Sequence, residues 1–279
     1  MIVDVTDPEN LDGAIEQAAE VVRAGKVVVL PTDTVYGVGA DAFDQVAVAM
    51  VLAAKHRGRD VPPPVLVGNT RTVDGLATDV PMYAKILIRH FWPGALTVIV
   101  RAQPTLMWDL GETNGTVALR MPDDEVTLRL LTEVGPMAVT SANLTGQPPA
   151  TTAQEARDQL GGAVSLYLDG GPRAGAAAST IVDCTGDEPV VLRHGAIPSA
   201  RLREVLGTTV LHDAPPAAAE HEDVSIQADD GPADEPPRER AIVLDPLVVR
   251  ELRPSGVGVR SADLRTVAPG AVAPGDSLQ

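Results

Sequence analysis

Two neighbouring stretches carry residue types that suit a phosphate-bearing ligand. Residues 26–43 read KVVVLPTDTVYGVGADAF, and one helix-length later the chain reads Lys55-His-Arg57-Gly-Arg59. The β-branched run at 27–29 ends near Pro31, which has no N–H for a sheet ladder, so Thr32, Asp33 and Thr34 stand at a strand end. Tyr36, Gly37 and Gly39 follow, and backbone without a side chain lets a ligand approach closely. Lys55, Arg57 and Arg59 are spaced so that at least two can converge on one anion. Hydroxyls, bare backbone and cations together imply phosphate recognition.

Further along, Thr116 and Arg120 lie four apart in TVALR, an even spacing that puts both on one face of a strand. A strand-end arginine commonly makes a surface ion pair, whereas in a pocket its fork grips a carboxylate bidentately. Ser141 and Asn143, just before Gly146, fit either a capped turn or a pocket edge. Ser179 and Arg193 read, on their own, as a strand-start hydroxyl and a surface cation. In isolation the P-T-D-T segment is equally a turn whose hydroxyls satisfy backbone, and Tyr36 a core ring with its hydroxyl satisfied at the edge. Cys184 is a single cysteine in the apolar IVDC, which makes it a small core residue rather than a nucleophile. Gly37-Val-Gly39-Ala-Asp-Ala42 formally fits a dinucleotide fingerprint, but its glycines do not come directly off the strand. No G-x-x-x-x-G-K-[ST] occurs, so ATP would need a different cradle.

These groups must be positioned by alternating helices and strands. Apolar spacing and capping signals predict helices at 11–24, 45–55, 82–91, 126–134, 152–160 and 199–206. Strands are predicted at 64–67, 96–100, 117–119, 137–139, 165–168, 180–183 and 190–192. The mixture implies an α/β (α+β) domain with one substantial sheet. The 279 residues carry a net charge of −16, which argues against general affinity for nucleic acid, so any tRNA binding is at most weak and local. Cations grouped in so acidic a body make a focused positive patch a pointed signal. No apolar run approaches the ~18 residues of a membrane span, and residues 1–4 lack the pattern of a signal peptide, so no membrane association and a cytoplasmic location are expected. From residue 208 the texture turns to Ala, Pro and acid; 208–240 reads as a disordered linker and 241–279 as a short, largely disordered tail containing the apolar run AIVLDPLVV.

The P-T-D-T-V-Y-G-V-G segment followed by K-H-R resembles the YrdC/TsaC-type threonylcarbamoyl-AMP synthases, which carry P-T-[DE]-T-x-Y-G-[LIV]-G and then K-x-R. The resemblance continues through FWPGALTVIV (91–100), TVALRMPDD (116–124), VTSANLTGQP (139–148), LDGGP (168–172), STIVD (179–183) and VLRHGAI (191–197), in family order. It makes residues 1–207 a YrdC-like catalytic domain, with a twisted mixed sheet flanked by helices around a concave groove. The implied reaction joins L-threonine, bicarbonate or CO2 and ATP into threonylcarbamoyl-AMP and pyrophosphate. The product would pass to a TsaD/TsaB/TsaE-like tRNA threonylcarbamoyl-transferase complex.

By the same resemblance Thr32, Arg120, Val139 and Ser179 would meet L-threonine. Lys55, Arg57, Arg59, Thr116, Ser141, Asn143 and Arg193 would meet ATP, with Thr34 and Tyr36 as pocket wall. Mg²⁺ would arrive with ATP, no metal being held by the protein, and no side chain would act as a covalent nucleophile. The chain departs from the family in its lengthened HRGRDVPPP loop, which leaves open whether Arg57 or Arg59 does the work of the family's arginine. Gly68 stands where many members have His, and Pro149-Ala150 where a serine often serves the nucleotide. Two further readings are a carbamoyl-AMP-forming domain and a double-stranded RNA-binding protein on the same fold.

Overall fold

The computed structural model describes residues 1–173 and 177–214. The elements, in chain order, are β1 Ile2–Asp4, α1 Pro8–Arg23, β2 Val28–Leu30, β3 Gly37–Asp41, α2 Gln45–Ala54, β4 Val65–Leu66, α3 Val73–Leu76, β5 Ala77–Thr78, α4 Met82–Phe91 and β6 Leu96–Ala102. They continue with β7 Thr116–Arg120, α5 Glu125–Val134, β8 Met137–Ser141, α6 Ala153–Leu160, β9 Leu166–Asp169, β10 Thr180–Asp183, β11 Val190–Arg193, α7 Ser199–Leu206 and β12 His212–Asp213. One mixed sheet runs in the order β1-β9-β2-β3-β8-β4-β7-β6-β10-β11-β12, with β5 added on β6.

Local chemistry accounts for the helix starts. Asp7, Asp44, Asp124 and Thr152 each accept a hydrogen bond from an amide of the first turn of α1, α2, α5 and α6, satisfying donors that have no intrahelical partner. Alternation along the strands then decides which side each helix covers. Val28 and Leu30 face Ile15 and Ala19 of α1 and Leu130 of α5, while Val27 and Val29 join Ala47 and Val51 of α2 and Ala153 of α6. Leu96, Val98 and Val100 of β6, with Val117 and Leu119 of β7, pack under Leu87 of α4 and Leu202 of α7. The residues between them, Thr97 and Ile99 of β6 and Thr116, Ala118 and Arg120 of β7, therefore line a concavity on the other face.

Two elements differ from the sequence expectation. Gly37 and Gly39 lie within β3, antiparallel between β2 and β8, rather than in a ligand-hugging loop. A Cβ on Gly39 would stand 2.5 Å from Val139 Cγ2 and 2.7 Å from the Ala138 carbonyl; one on Gly37 would stand 2.7 Å from Val139 Cγ1. The glycines let β8 press against β3, and Gly37 also lines the cavity described below, so packing and open backbone coincide there. The chain also keeps regular structure past Gly207, because β12 pairs parallel with β11. Residues 215–240 of the expected linker (208–240) and the whole tail (241–279) lie outside the described residues.

Candidate active site

The concavity encloses about 380 Å³. Into it the fold brings Thr32, Thr34, Tyr36, Arg57, Thr116, Arg120, Val139, Ser141, Ser179 and Arg193, ten of the thirteen positions expected from sequence. The chain after β2 supplies the first three, the loop after α2 Arg57, β7 and β8 the next four, and the residue before β10 and the end of β11 the last two.

The P-T-D-T turn is a built structure. Thr32 Oγ1 donates to the Val35 carbonyl at 2.6 Å and accepts from the Thr34 amide at 3.2 Å, so it is a turn residue that also stands in the cavity lining. Thr34 Oγ1 accepts from Arg120 Nη1 at 3.1 Å, and Asp33 Oδ1 from Arg120 Nη2 at 2.5 Å. Thr127 Oγ1 donates to the Pro31 carbonyl and the Asp123 amide to Asp33. The strand-end turn is thus pinned to the β7–α5 connection, which fixes Arg120 in the cavity wall. Tyr36 is fully buried; its hydroxyl donates to the Gly171 carbonyl at 2.7 Å and accepts from the Gly170 amide at 3.0 Å. Burial and then the charge of Asp169 push this phenol up to about 12, so it remains a neutral wall and brace for the 169–171 turn.

Three of the positions expected from sequence do not line the cavity. Lys55, at the end of α2, is buried, and its Nζ donates to the Ser141 carbonyl, to the Asn143 carbonyl at 2.7 Å and to Asn143 Oδ1 at 3.0 Å. Its three donors are taken up below the cavity surface, where they hold the 141–143 turn. Asn143 is equally committed: Nδ2 donates to the Leu144 and Gln147 carbonyls, and Oδ1 accepts from Ser141 Oγ at 2.6 Å as well as from Lys55. Arg59 points to the surface and pairs with Asp109 at 2.7 Å, while its carbonyl accepts from the Glu112 amide at 2.8 Å. That clasp ties the lengthened loop to 109–112. Arg57 is the cation that lines the cavity, donating to Thr140 Oγ1 at 2.9 Å. Val61, Pro62 and Pro63 of the same loop form an apolar wall beside it.

Arg193 spans the remaining side. Its Nε donates to the Ser179 carbonyl at 3.0 Å and its Nη2 to Ser179 Oγ at 2.9 Å, and that hydroxyl also meets Thr97 Oγ1 at 2.8 Å. The two residues assigned to different substrates are therefore one hydrogen-bonded unit. Burial first, and then Arg120 and Arg57, pull the Arg193 guanidinium below its ordinary value, the mark of three cations sharing one field. Such a cluster in a chain of net charge −16 is a focused positive patch.

Sequence reasoning left Asp33, Thr97 and Thr140 without a role. Asp33 and Arg120 are 87 residues apart, and no local pattern announces their pairing. Thr97 carried the only legible signal, a hydroxyl among the apolar residues at 96–100 of β6. Cys184 is buried, and burial followed by Asp183 pushes its thiol up to about 12, away from nucleophilic use. Gly68 backs onto Leu131 of α5 and is not part of the lining, whereas Pro149 is, without a hydroxyl.

Residues 20–195 match the family profile Sua5_yciO_yrdC, described as "Telomere recombination". A Mycobacterium tuberculosis protein, provisionally named a threonylcarbamoyl-AMP synthase, is 55% identical over 204 residues, covering 73% of this chain and 94% of the relative. Threonylcarbamoyl-AMP synthase of Bacillus subtilis is 41% identical over 209 residues, 74% of this chain and 60% of its own. Among solved structures, Pyrococcus abyssi Sua5 complexed with L-threonine superposes with a TM-score of 0.71 at 34% identity, covering 76% of this chain and 62% of that one.

Proposed function

The chain belongs to the Sua5/YciO/YrdC family, and on that premise we infer that it is an L-threonylcarbamoyladenylate synthase, a nucleotidyltransferase that makes threonylcarbamoyl-AMP from L-threonine, bicarbonate and ATP. The observation that carries the reading is the single cavity holding Arg57, Arg120 and Arg193 together with the Thr32, Ser141 and Ser179 hydroxyls. A reaction between a carboxylate-bearing amino acid and a triphosphate needs cations at both ends of one enclosed space, and this chain supplies them.

In this reading the threonine amine captures CO2 or bicarbonate to give N-carboxythreonine. A carboxylate oxygen of that group attacks the α-phosphorus of ATP, the bond to the bridging oxygen breaks, and pyrophosphate leaves. Arg120 takes the amino-acid carboxylate, with Thr32 and Ser179 beside it. Val139 walls that end, its amide already donated to the Pro64 carbonyl at 2.8 Å. Arg57 and Arg193 take phosphate oxygens, and the Thr116 and Ser141 hydroxyls face the nucleotide. The protein's contribution is positioning and charge neutralisation, which raise the rate without a covalent nucleophile. The described lining consists of guanidiniums, hydroxyls and apolar groups with no carboxylate, a donor set for phosphate oxygens, so Mg²⁺ is assigned to the triphosphate and leaves with pyrophosphate. The product is a reactive acyl-adenylate, to be consumed by a complex that modifies tRNA.

The test is pyrophosphate release by the purified protein with ATP, Mg²⁺ and bicarbonate, with and without L-threonine. Release that depends on threonine is expected. Release without threonine, or with carbamoyl phosphate in its place, overturns the reading.

A further inference from the structure

The three arginines of the cavity differ in what holds them. Arg57 rests on the Thr140 hydroxyl, and Arg193 on the Ser179 carbonyl and hydroxyl, all neutral groups. Arg120 is ion-paired with Asp33 at 2.5 Å, and the two side chains are only 9% and 16% exposed. Asp33 does not line the cavity; it reaches Arg120 from behind, and the same Oδ1 accepts from the Asp123 amide at 3.1 Å. Arg120 also donates Nε to the Gly94 carbonyl at 3.0 Å and Nη1 to Thr34 at 3.1 Å. Of the five guanidinium N–H groups three are spent, leaving one on each Nη, the number that a single carboxylate takes up bidentately.

The charge is partitioned accordingly. The Arg120–Asp33 pair is neutral as a unit, while Arg193 has no carboxylate acting on it and Arg57 feels Asp60 only through space, without an ion pair. A monoanionic carboxylate gains two charge-assisted hydrogen bonds from the fixed fork. A phosphate chain finds no net charge there, and a carboxylate behind it repels further negative charge. We propose that Asp33 determines which anion goes where: it fixes the Arg120 fork for a carboxylate and excludes phosphates from that end, confining them to Arg57 and Arg193. Without this partition a polyphosphate would bridge all three arginines and block the amino acid. The proposal rests on the reading of an amino acid and ATP as co-substrates.

The experiment is calorimetric titration of L-threonine into the full chain, with and without inorganic tripolyphosphate, for wild type, Asp33→Asn and Asp33→Glu. In wild type, tripolyphosphate should leave the threonine dissociation constant within about twofold. In D33N it should compete, raising that constant about tenfold or more, the size of effect that one charge-assisted hydrogen bond carries. D33E keeps the charge on a longer stem, so it should still exclude tripolyphosphate while binding threonine more weakly. Competition in wild type, or a D33N protein that excludes tripolyphosphate as wild type does, overturns the proposal. Should D33N fail to fold, competition in D33E overturns it and exclusion there supports it. A wild-type chain that binds no threonine sinks the functional reading itself, a result distinguishable from all of these.

Discussion

At the scale of single residues the cationic stretch divides its labour. Arg57 faces the cavity, Lys55 lies beneath it, and Arg59 is at the surface on Asp109. Arg57→Ala should therefore raise the ATP requirement about 10- to 100-fold, the cost of a lost hydrogen bond to a charged group. Arg59→Ala, which removes an exposed pair, should stay within about twofold. Steady-state pyrophosphate release at varied ATP reads both, and equal losses would show that the loop clasp matters as much as the cation. Lys55 gives a pH prediction. Burial, followed by Arg57, pulls its ammonium from 10.5 down to about 8. The folded value lies below the unfolded one, so between about 8 and 10.5 the unfolded chain holds the extra proton and the native state gains relative stability as pH rises. Activity should move the other way, because a neutral amine has two donors for the three acceptors on the 141–143 turn. Wild type should show an alkaline limb in kcat/KM for ATP near pH 8 that Lys55→Met lacks, its activity being low throughout. Parallel pH profiles would remove Lys55 from control of the turn.

At the scale of elements, the sheet is built around close contact between β3 and β8. Gly39→Ala places a methyl against Val139 and the Ala138 carbonyl, both of which are buried. Overpacking of this kind costs about 1–3 kcal/mol, which for a body of this size lowers the melting temperature by roughly 3–10 °C. Thermal unfolding followed by circular dichroism checks it, and an unchanged midpoint would mean that β8 can retreat from β3. The same contact explains what sequence could and could not reveal. The longer helices were legible because capping residues and 3.6-residue apolar spacing are local signals, as in Thr152, whose side chain accepts from the Glu155 amide. β3 was not, because its glycines answer to a strand that arrives a hundred residues later. Strands of two or three residues such as β1, β5 and β12 are too short for any period to register. In the site, the lining residues on alternating strand positions could be named in advance. The interior roles of Lys55 and Asp33 depend on partners distant in sequence, which the sequence does not display, whereas the capped turn around Asn143 is mostly local and was legible.

At the scale of the molecule, the question is how much of the chain the cavity needs. Among the described residues, every one that lines the cavity precedes β12, with Arg193 the last. β12 is nevertheless tied to the body: it pairs with β11, the strand that ends on Arg193, the His212 ring meets Glu188 at 2.5 Å, and Arg203 of α7 meets Asp213 at 2.8 Å. A strand at the edge protects the backbone of its neighbour, and here the neighbour carries Arg193, one of the three arginines of the cavity. Two truncations should separate these contributions. Ending the chain after Ala214 keeps every described contact and should leave threonine-dependent pyrophosphate release within about twofold, since the Ala/Pro/acid-rich remainder has few large apolar groups with which to close a site. Ending it after Gly207 strips β12, exposes β11 and should weaken ATP use more than threonine use, because Arg193 hangs from the freed strand while Arg120 sits in the interior of the sheet. Measuring both Michaelis constants on both truncations, with melting temperatures alongside, decides the matter. A 214 truncation that folds and is inactive would assign residues 215–279 a part in the reaction. A 207 truncation with unaltered constants would make β12 an ornament of the edge.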